Sequence, residues 1–140
     1  MEAGERERAR AELRRIYAAA DREAAADPAL ACELSGRCCR FREAGHELFL
    51  TRLEYDEMVA RGGPRPADPA RCPWLAGTLC GNREGRALSC RTYFCSDEAA
   101  AAALTERWHR EIRRLHERFG LAYDYRSLAD HMNSGAAECV

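Results

Sequence analysis

The sequence contains no lysine, and all 22 of its basic residues are arginine. They are balanced by 23 acidic residues, which gives a formal net charge of −1. A nucleic-acid-binding domain presents a clear basic excess to the phosphates, and this composition lacks one. We therefore expect no nucleic-acid partner.

Long hydrophobic runs are also missing. No apolar stretch approaches the roughly 20 residues that a transmembrane helix needs, so we expect no membrane span. Residues 1–15 are densely charged and lack the apolar core of a secretory signal peptide. We therefore expect a cytoplasmic protein.

Large apolar side chains are scarce. The chain has 140 residues and 46% are hydrophobic, but 26 of these are alanine and 8 are cysteine, which leaves 31 larger side chains. Alanine buries little apolar area, and a domain of this size normally hides about two-thirds of its unfolded surface. We therefore expect one domain, residues 1–140, whose thin core needs help from something besides packing.

The helical pattern occurs at both ends of the chain. Residues 1–27 are rich in Ala, Glu and Arg with a narrow apolar stripe, which predicts an amphipathic helix that ends at Asp27-Pro28. Residues 96–133 predict further helices: Ser96 or Asp97 suits an N-cap and Gly120 a C-cap. The fold class is therefore mainly α, a small irregular α domain in which two helical regions flank residues 32–95.

The middle region, residues 32–95, is rich in cysteine, glycine and proline. Thr51 and Glu54 have the spacing of a capping box, which predicts a helix that ends at Gly62-Gly63. Residues 46–50 predict a short strand, and residues 72–75 and 88–90 predict loops or turns. This region therefore needs a stabilising element other than regular structure.

Seven of the eight cysteines lie in this region: Cys32, Cys38, Cys39, Cys72, Cys80, Cys90 and Cys95. Disulfides would need an oxidising compartment and an even number of thiols. Seven cysteines beside prolines, glycines and arginines do not have the neighbours of core residues, although the isolated Cys139 fits that role. In a reduced cytosol such clustering indicates a thiolate metal site, for zinc or an iron–sulfur cluster.

Arginines beside the cysteines could compensate the negative charge of a thiolate site. Arg91 lies directly after Cys90, and Arg86 is nearby. Tyr93 belongs to the same run and is expected in an apolar shell around the metal. The abundance of arginine is an equally good explanation for most such neighbours.

The order of the cysteine motifs resembles that of the YkgJ family of cysteine-cluster proteins. The blocks are C-x5-C-C from Cys32, the segment Leu48-Phe49-Leu50-Thr51 with the acidic helix after it, Cys72-Pro73-Trp74-Leu75, and C-x9-C-R-x-Y-x-C from Cys80. The family consists of bacterial proteins described as zinc- or iron-chelating, and sometimes as iron–sulfur proteins. The resemblance implies that all seven cysteines of residues 32–95 are candidate ligands.

The sequence departs from the family pattern in two places. Ser35 stands where the family has a further cysteine. Asn82, Arg83 and Ala87 replace the Ile, Tyr and Pro of the block after Cys80, in which Arg86 is kept. One four-thiolate site remains possible, whereas two sites would need a shared thiolate, Ser35, a histidine such as His46, or Cys139.

Two functions follow from this pattern. The first is a cytoplasmic metal-chelating protein that binds zinc or iron through clustered thiolates, with a [4Fe–4S] cluster expected ahead of other cluster types. The alternative is an iron–sulfur redox or maturation accessory that passes electrons to an unidentified partner enzyme. No Ser/His/Asp order, phosphate loop or paired-acid motif is present, so catalytic residues are not assigned. Of the remaining histidines, His109 and His116 are expected at boundary or solvent-facing positions, and His131 is expected to have no role in the site.

Overall fold

The structure is a computed structural model that describes residues 3–30, 47–65, 68, 70–77, 79–93 and 97–135. The fold is mainly helical, as the sequence predicts. Its helices are α1 (Ala3–Ala26), α2 (Arg52–Gly62), α3 (Leu88–Thr92), α4 (Glu98–Phe119) and α5 (Leu128–Gly135), with a 3₁₀ turn at Arg83–Gly85. Within the described part of the chain, no helix is both long and apolar enough to cross a membrane.

Within the described residues, four short strands form two antiparallel pairs. They are β1 (Phe49–Thr51), β2 (Leu75–Ala76), β3 (Leu79–Cys80) and β4 (Tyr125–Ser127). Strand β1 pairs with β4, and β2 pairs with β3. The strand predicted at residues 46–50 is therefore observed slightly later, and its partner lies far along the chain. The hairpin of β2 and β3 lies in a region for which the sequence predicts loops or turns.

The chain divides into two compact units, each built from two stretches of sequence. The first unit comprises Met1–Cys32 and Arg91–Tyr123, and the second comprises Glu33–Cys90 and Asp124–Val140. The two long helices, which the sequence places on either side of the cysteine-rich region, thus belong to one unit.

In the first unit, α1 packs against α4 through a narrow face that contains many alanines. The buried residues of α1 recur every three or four positions: Ala9, Leu13, Tyr17, Ala20 and Ala24. Small side chains allow the two helices to approach closely. The helical spacing also predicts that Ile16 on α1 and Trp108 and Phe119 on α4 are buried, but these three are only half-buried.

Both ends of α4 are capped as the sequence predicts. The Asp97 side chain accepts a hydrogen bond from the Ala100 amide at 2.9 Å. Gly120 ends the helix in the left-handed conformation with φ 64°, which costs a residue without Cβ little. These caps are local, because each donor and acceptor lie within four residues of one another.

The prediction for His109 and His116 was wrong, and His131 is buried as well. His116 and His131 are only 2% and 0% exposed, and His109 is also buried. His116 Nδ1 bonds to the Ala122 carbonyl at 3.2 Å, and His131 Nε2 bonds to the Leu50 carbonyl at 2.7 Å. A carbonyl partner lets a neutral imidazole be buried at low cost, and the sequence alone does not reveal such a partner.

The second unit has the thin core that the composition predicts. Its hydrophobic cluster consists of buried Leu48, Leu50, Tyr55, Met58, Cys72, Trp74, Leu75, Ala87 and Leu128, with Val59, Cys90 and Met132 packed against it. The capping box of α2 is present: the Thr51 hydroxyl accepts from the Glu54 amide, and the Glu54 carboxylate accepts from the Thr51 amide. The helix ends at Gly62, as predicted, and Gly63 forms the C-cap.

Candidate functional site

Three of the seven predicted ligands lie in the second unit, within the described residues. Cys72 is buried, whereas Cys80 and Cys90 are half-buried. Cys72 belongs to the hydrophobic cluster and Cys90 packs against it. The other predicted ligands, together with the alternatives, lie outside the described residues: Cys32, Cys38, Cys39, Cys95, Ser35, His46 and Cys139.

The hairpin of β2 and β3 connects Cys72 to Cys80. The Cys72 carbonyl accepts a hydrogen bond from the Leu75 amide at 3.1 Å, which forms a turn that leads into β2. Leu75 then pairs with Cys80 across the hairpin. The turn between the strands contains Gly77 at φ 64°, a conformation that favours glycine. The C-P-W-L motif and Cys80 thus form one local structure.

The Cys80 sulfur accepts a backbone hydrogen bond. The Asn82 amide nitrogen lies 3.4 Å from Cys80 Sγ, two residues along the chain. Sulfur is a weak acceptor as a thiol and a much better one as a thiolate, so amide hydrogen bonds to sulfur are typical of metal-bound cysteine. This contact suits Cys80 as a ligand.

Two side chains bind this hairpin to the C-terminal end of α2. Asn82 Nδ2 donates to the Met58 carbonyl at 2.9 Å, and Trp74 Nε1 donates to the Gly62 carbonyl at 3.2 Å. The Gly62 carbonyl is one of the last four of the helix, which have no partner within it, and the Met58 carbonyl has a second lone pair that can accept. In sequence, Asn82 is only a departure from the family pattern, but in the structure it positions the segment that carries Cys80.

Gly62 allows this close approach. A Cβ at this position would lie 2.6 Å from Trp74 Nε1 and closer still to Asn82 Nδ2. Both side chains are buried and hydrogen-bonded, so neither can move cheaply. Glycine is therefore needed here for space rather than for its backbone conformation.

We expect Gly62→Ala to lower the free energy of unfolding by about 2 kcal/mol, the usual range for overpacking. Urea denaturation would measure this change. Gly4→Ala is the matched control, because the nearest atom to a Cβ there is 3.9 Å away. An alanine in an exposed helix should instead raise stability by about 0.5–1 kcal/mol. Equal effects of the two substitutions would contradict the close packing at Gly62.

A buried carboxylate positions the helix that carries Cys90. Glu54 Oε1 accepts from the Leu88 amide at 2.9 Å, while Oε2 accepts from the Thr51 amide at 2.9 Å. Glu54 is 1% exposed. A carboxylate at a helix N-terminus satisfies an amide that has no partner in the helix, and its charge is favourable there. Residues 88–90, predicted as a loop, are therefore the first residues of α3.

The arginines predicted near the thiolates have other partners in the structure. The Arg91 guanidinium bonds to Asp21 Oδ2 at 2.7 Å and lies over the Tyr17 ring, 4.2 Å from its centroid. Arg86 Nε donates to the Arg83 carbonyl at 2.9 Å. Tyr93 is half-buried. The positive charge of Arg91 is thus compensated largely by a carboxylate of α1.

Among the described residues, no three His, Cys, Asp or Glu side chains lie close enough together to bind one metal ion. Cys72, Cys80 and Cys90 therefore do not share one metal ion in this structure, and a four-thiolate site would need at least two ligands from Cys32, Cys38, Cys39 and Cys95. Comparisons with protein-family models, curated proteins and solved structures return no match.

Proposed function

We propose that this protein is a cytoplasmic metal-chelating protein that binds zinc or iron through clustered cysteine thiolates. The ligands are drawn from the seven cysteines of residues 32–95: Cys32, Cys38, Cys39, Cys72, Cys80, Cys90 and Cys95. The proposal rests on their number and spacing and on the resemblance of the motifs to the YkgJ family. A reducing compartment keeps such thiols available to metal.

The hydrogen bond from the Asn82 amide to Cys80 Sγ carries the structural support. It presents a donor to a sulfur atom, and this donor stabilises the thiolate form that a metal requires. The hairpin and α2 hold this donor in position through Asn82 Nδ2 and the Met58 carbonyl. The chemistry of the site therefore fits a metal that prefers sulfur.

Several described residues would hold the segments of such a site in place. Cys72 and Cys90 come from a turn and a helix that meet the same hydrophobic cluster, which excludes water from one side of each residue. Glu54 fixes the start of the helix that carries Cys90. A bound zinc ion would crosslink these segments, and a bound iron–sulfur cluster would also supply electron transfer.

The second candidate function is an iron–sulfur redox or maturation accessory that serves a partner enzyme. The observation that favours it is the amide bond to sulfur, because such bonds tune the potential of a cluster. The second function requires an iron–sulfur cluster, whereas the first function can also use zinc. If the first function is correct and the metal is zinc, protein purified without oxygen should be colourless and contain zinc. A brown protein with acid-labile sulfide would instead support a cluster.

We expect Cys80→Ser to lose metal, because a serine oxygen does not replace a thiolate as a ligand for a soft metal. Metal content per chain, measured by elemental analysis after anaerobic purification, should fall about tenfold or more. Cys139→Ser is the matched control and should keep the metal content of the unmodified protein. Full retention of metal in Cys80→Ser would remove Cys80 from the ligand set, and a chain purified without zinc or iron that binds neither on addition would overturn the proposed function.

A further inference from the structure

A short segment after α4 folds back on that helix in the first unit. We name residues 120–123 the return segment. Gly120 turns the chain with φ 64°, and the Leu121 amide then donates to the His116 carbonyl at 2.9 Å. The next two residues, Ala122 and Tyr123, are held by histidine side chains. The return segment is therefore attached to α4 mainly through groups of two histidines.

The first of these, His116, is held as a neutral imidazole. Because a carbonyl can only accept, His116 Nδ1 carries the proton and donates to the Ala122 carbonyl at 3.2 Å. The other nitrogen, Nε2, is buried and has no hydrogen-bond partner among the described residues. A proton added to Nε2 would create a buried charged donor without an acceptor, which is costly.

The second, His109, bonds to the Tyr123 hydroxyl through Nε2. Arg113 Nε donates to the same hydroxyl oxygen at 3.4 Å, and its guanidinium lies 5.7 Å from the centre of the Tyr123 ring. With Arg113 as the donor to this oxygen, the Tyr123 proton is directed to a neutral His109. Protonated His109 would compete with Arg113 for one oxygen and would add a second positive charge beside it.

Some neighbours of His109 and His116 raise the pKa of these imidazoles, and others lower it. Burial is the largest influence on the pKa of His109 and lowers it, Arg113 lowers it further, and Glu106 raises it. Burial also lowers the pKa of His116, against the bonds to Ala122 and Leu121. Helix α1 contributes Glu12, which lies 3.4 Å from Arg118. The balance for both histidines favours the neutral form.

We propose that the return segment is an acid-sensitive latch, which His109 and His116 hold on α4 only while both imidazoles are neutral. When the latch opens, Nε2 of His109 and Nε2 of His116 reach water. Each imidazole then takes up a proton at its ordinary pKa of about 6.5. Because the closed form binds protons less readily, its stability is fully present above about pH 6.5 and falls as the pH drops below that value. Tyr123 is 43% exposed, so its ring can leave without unpacking the core. This latch is independent of the metal site.

Hydrogen exchange on the full chain tests the latch. At about pH 7.5 and about pH 5.5, amide exchange of the return segment is measured and corrected for the intrinsic effect of pH. We expect protection of the Leu121 amide to fall about tenfold at the lower pH, while residues 101–108 of α4 keep theirs. Equal protection of Leu121 at both pH values would overturn the proposal.

Two substitutions separate the histidines from other effects of acid. His116→Asn keeps an N–H for the Ala122 carbonyl, and His109→Gln keeps an acceptor for Tyr123, yet neither new side chain titrates near neutral pH. The double variant should show the same protection of Leu121 at both pH values, whereas His131→Gln, in the second unit, should behave as the unmodified chain does. Protection of Leu121 that is present in the double variant at about pH 7.5 and lost at about pH 5.5 would exclude the imidazoles as the switch.

A second measurement covers the case in which the double variant does not fold. The imidazole carbon-bound protons of the unmodified chain can be followed by NMR as the pH is lowered. We expect both histidines to titrate below about pH 6.5, together with the loss of Leu121 protection. Titration at or above that pH, while the segment stays protected, would also overturn the latch.

Discussion

Removing the metal is expected to unfold most of residues 32–95. The described residues of the second unit form one hydrophobic cluster, which includes Cys72 and Ala87. Packing alone therefore contributes little to the free energy of unfolding of this unit. A structural zinc site contributes about 10 kcal/mol or more, which is comparable to the whole net stability of a domain. If the proposed site is occupied, loss of the metal should therefore lower the stability of this unit more than loss of any single side-chain contact does.

Far-UV circular dichroism with and without a chelator measures this effect. We expect partial loss of helical signal, because α2 and α3 lie in residues 32–95 whereas α1, α4 and α5 lie outside them. Adding zinc back should restore the signal. Cys80→Ser purified in the same way should resemble the chelated protein from the start. An unchanged spectrum after verified removal of the metal would show that the fold does not depend on it.

Among the single substitutions that leave the proposed ligands unchanged, Glu54→Ala should have the largest effect on stability. The carboxylate accepts from the Thr51 amide, the Thr51 hydroxyl and the Leu88 amide, at 2.9, 3.2 and 2.9 Å. Thr51 and Leu88 are buried, so both amides would lose their acceptor without gaining water. At about 1–3 kcal/mol for each buried donor, we expect a loss of about 3–4 kcal/mol.

Urea denaturation of the metal-loaded protein would give this difference. Asp56→Ala is the matched control on the same helix: Asp56 bonds to Arg52 at 3.2 Å, and both side chains are partly exposed. Such a pair contributes only about 0.5 kcal/mol. Glu54→Gln keeps one acceptor oxygen and should fall between the two. A similar cost for Glu54→Ala and Asp56→Ala would show that the contact with Leu88 contributes little.

The two units differ in how their features can be tested. The latch lies in the first unit and responds to acid, whereas the predicted ligands among the described residues lie in the second unit and respond to a chelator. A variant that loses metal but keeps the acid response of Leu121 would therefore support two separate devices in one chain. His131 gives the second unit a pH response of its own, because burial lowers its pKa as well.

Helix caps were predictable from the sequence, because their hydrogen-bond partners lie within a few residues of each other along the chain. The capping box of Thr51 and Glu54, the N-cap at Asp97 and the C-cap at Gly120 were all predictable, because each depends on a hydrogen bond or backbone conformation within one helical turn. The long helices followed from composition and periodicity. The scarcity of large apolar residues also indicated the thin core.

Tertiary structure decided the contacts that position the candidate site. Glu54 meets Leu88 across 34 residues, Asn82 Nδ2 meets the Met58 carbonyl across 24, and His131 meets the Leu50 carbonyl across 81. Sequence spacing carries no information about such pairs, because each depends on which backbone group lacks a partner once the elements have packed. For this reason Asn82, a departure from the family motif, anchors the cysteine hairpin. For the same reason His109 and His116, expected at boundary or solvent-facing positions, are buried.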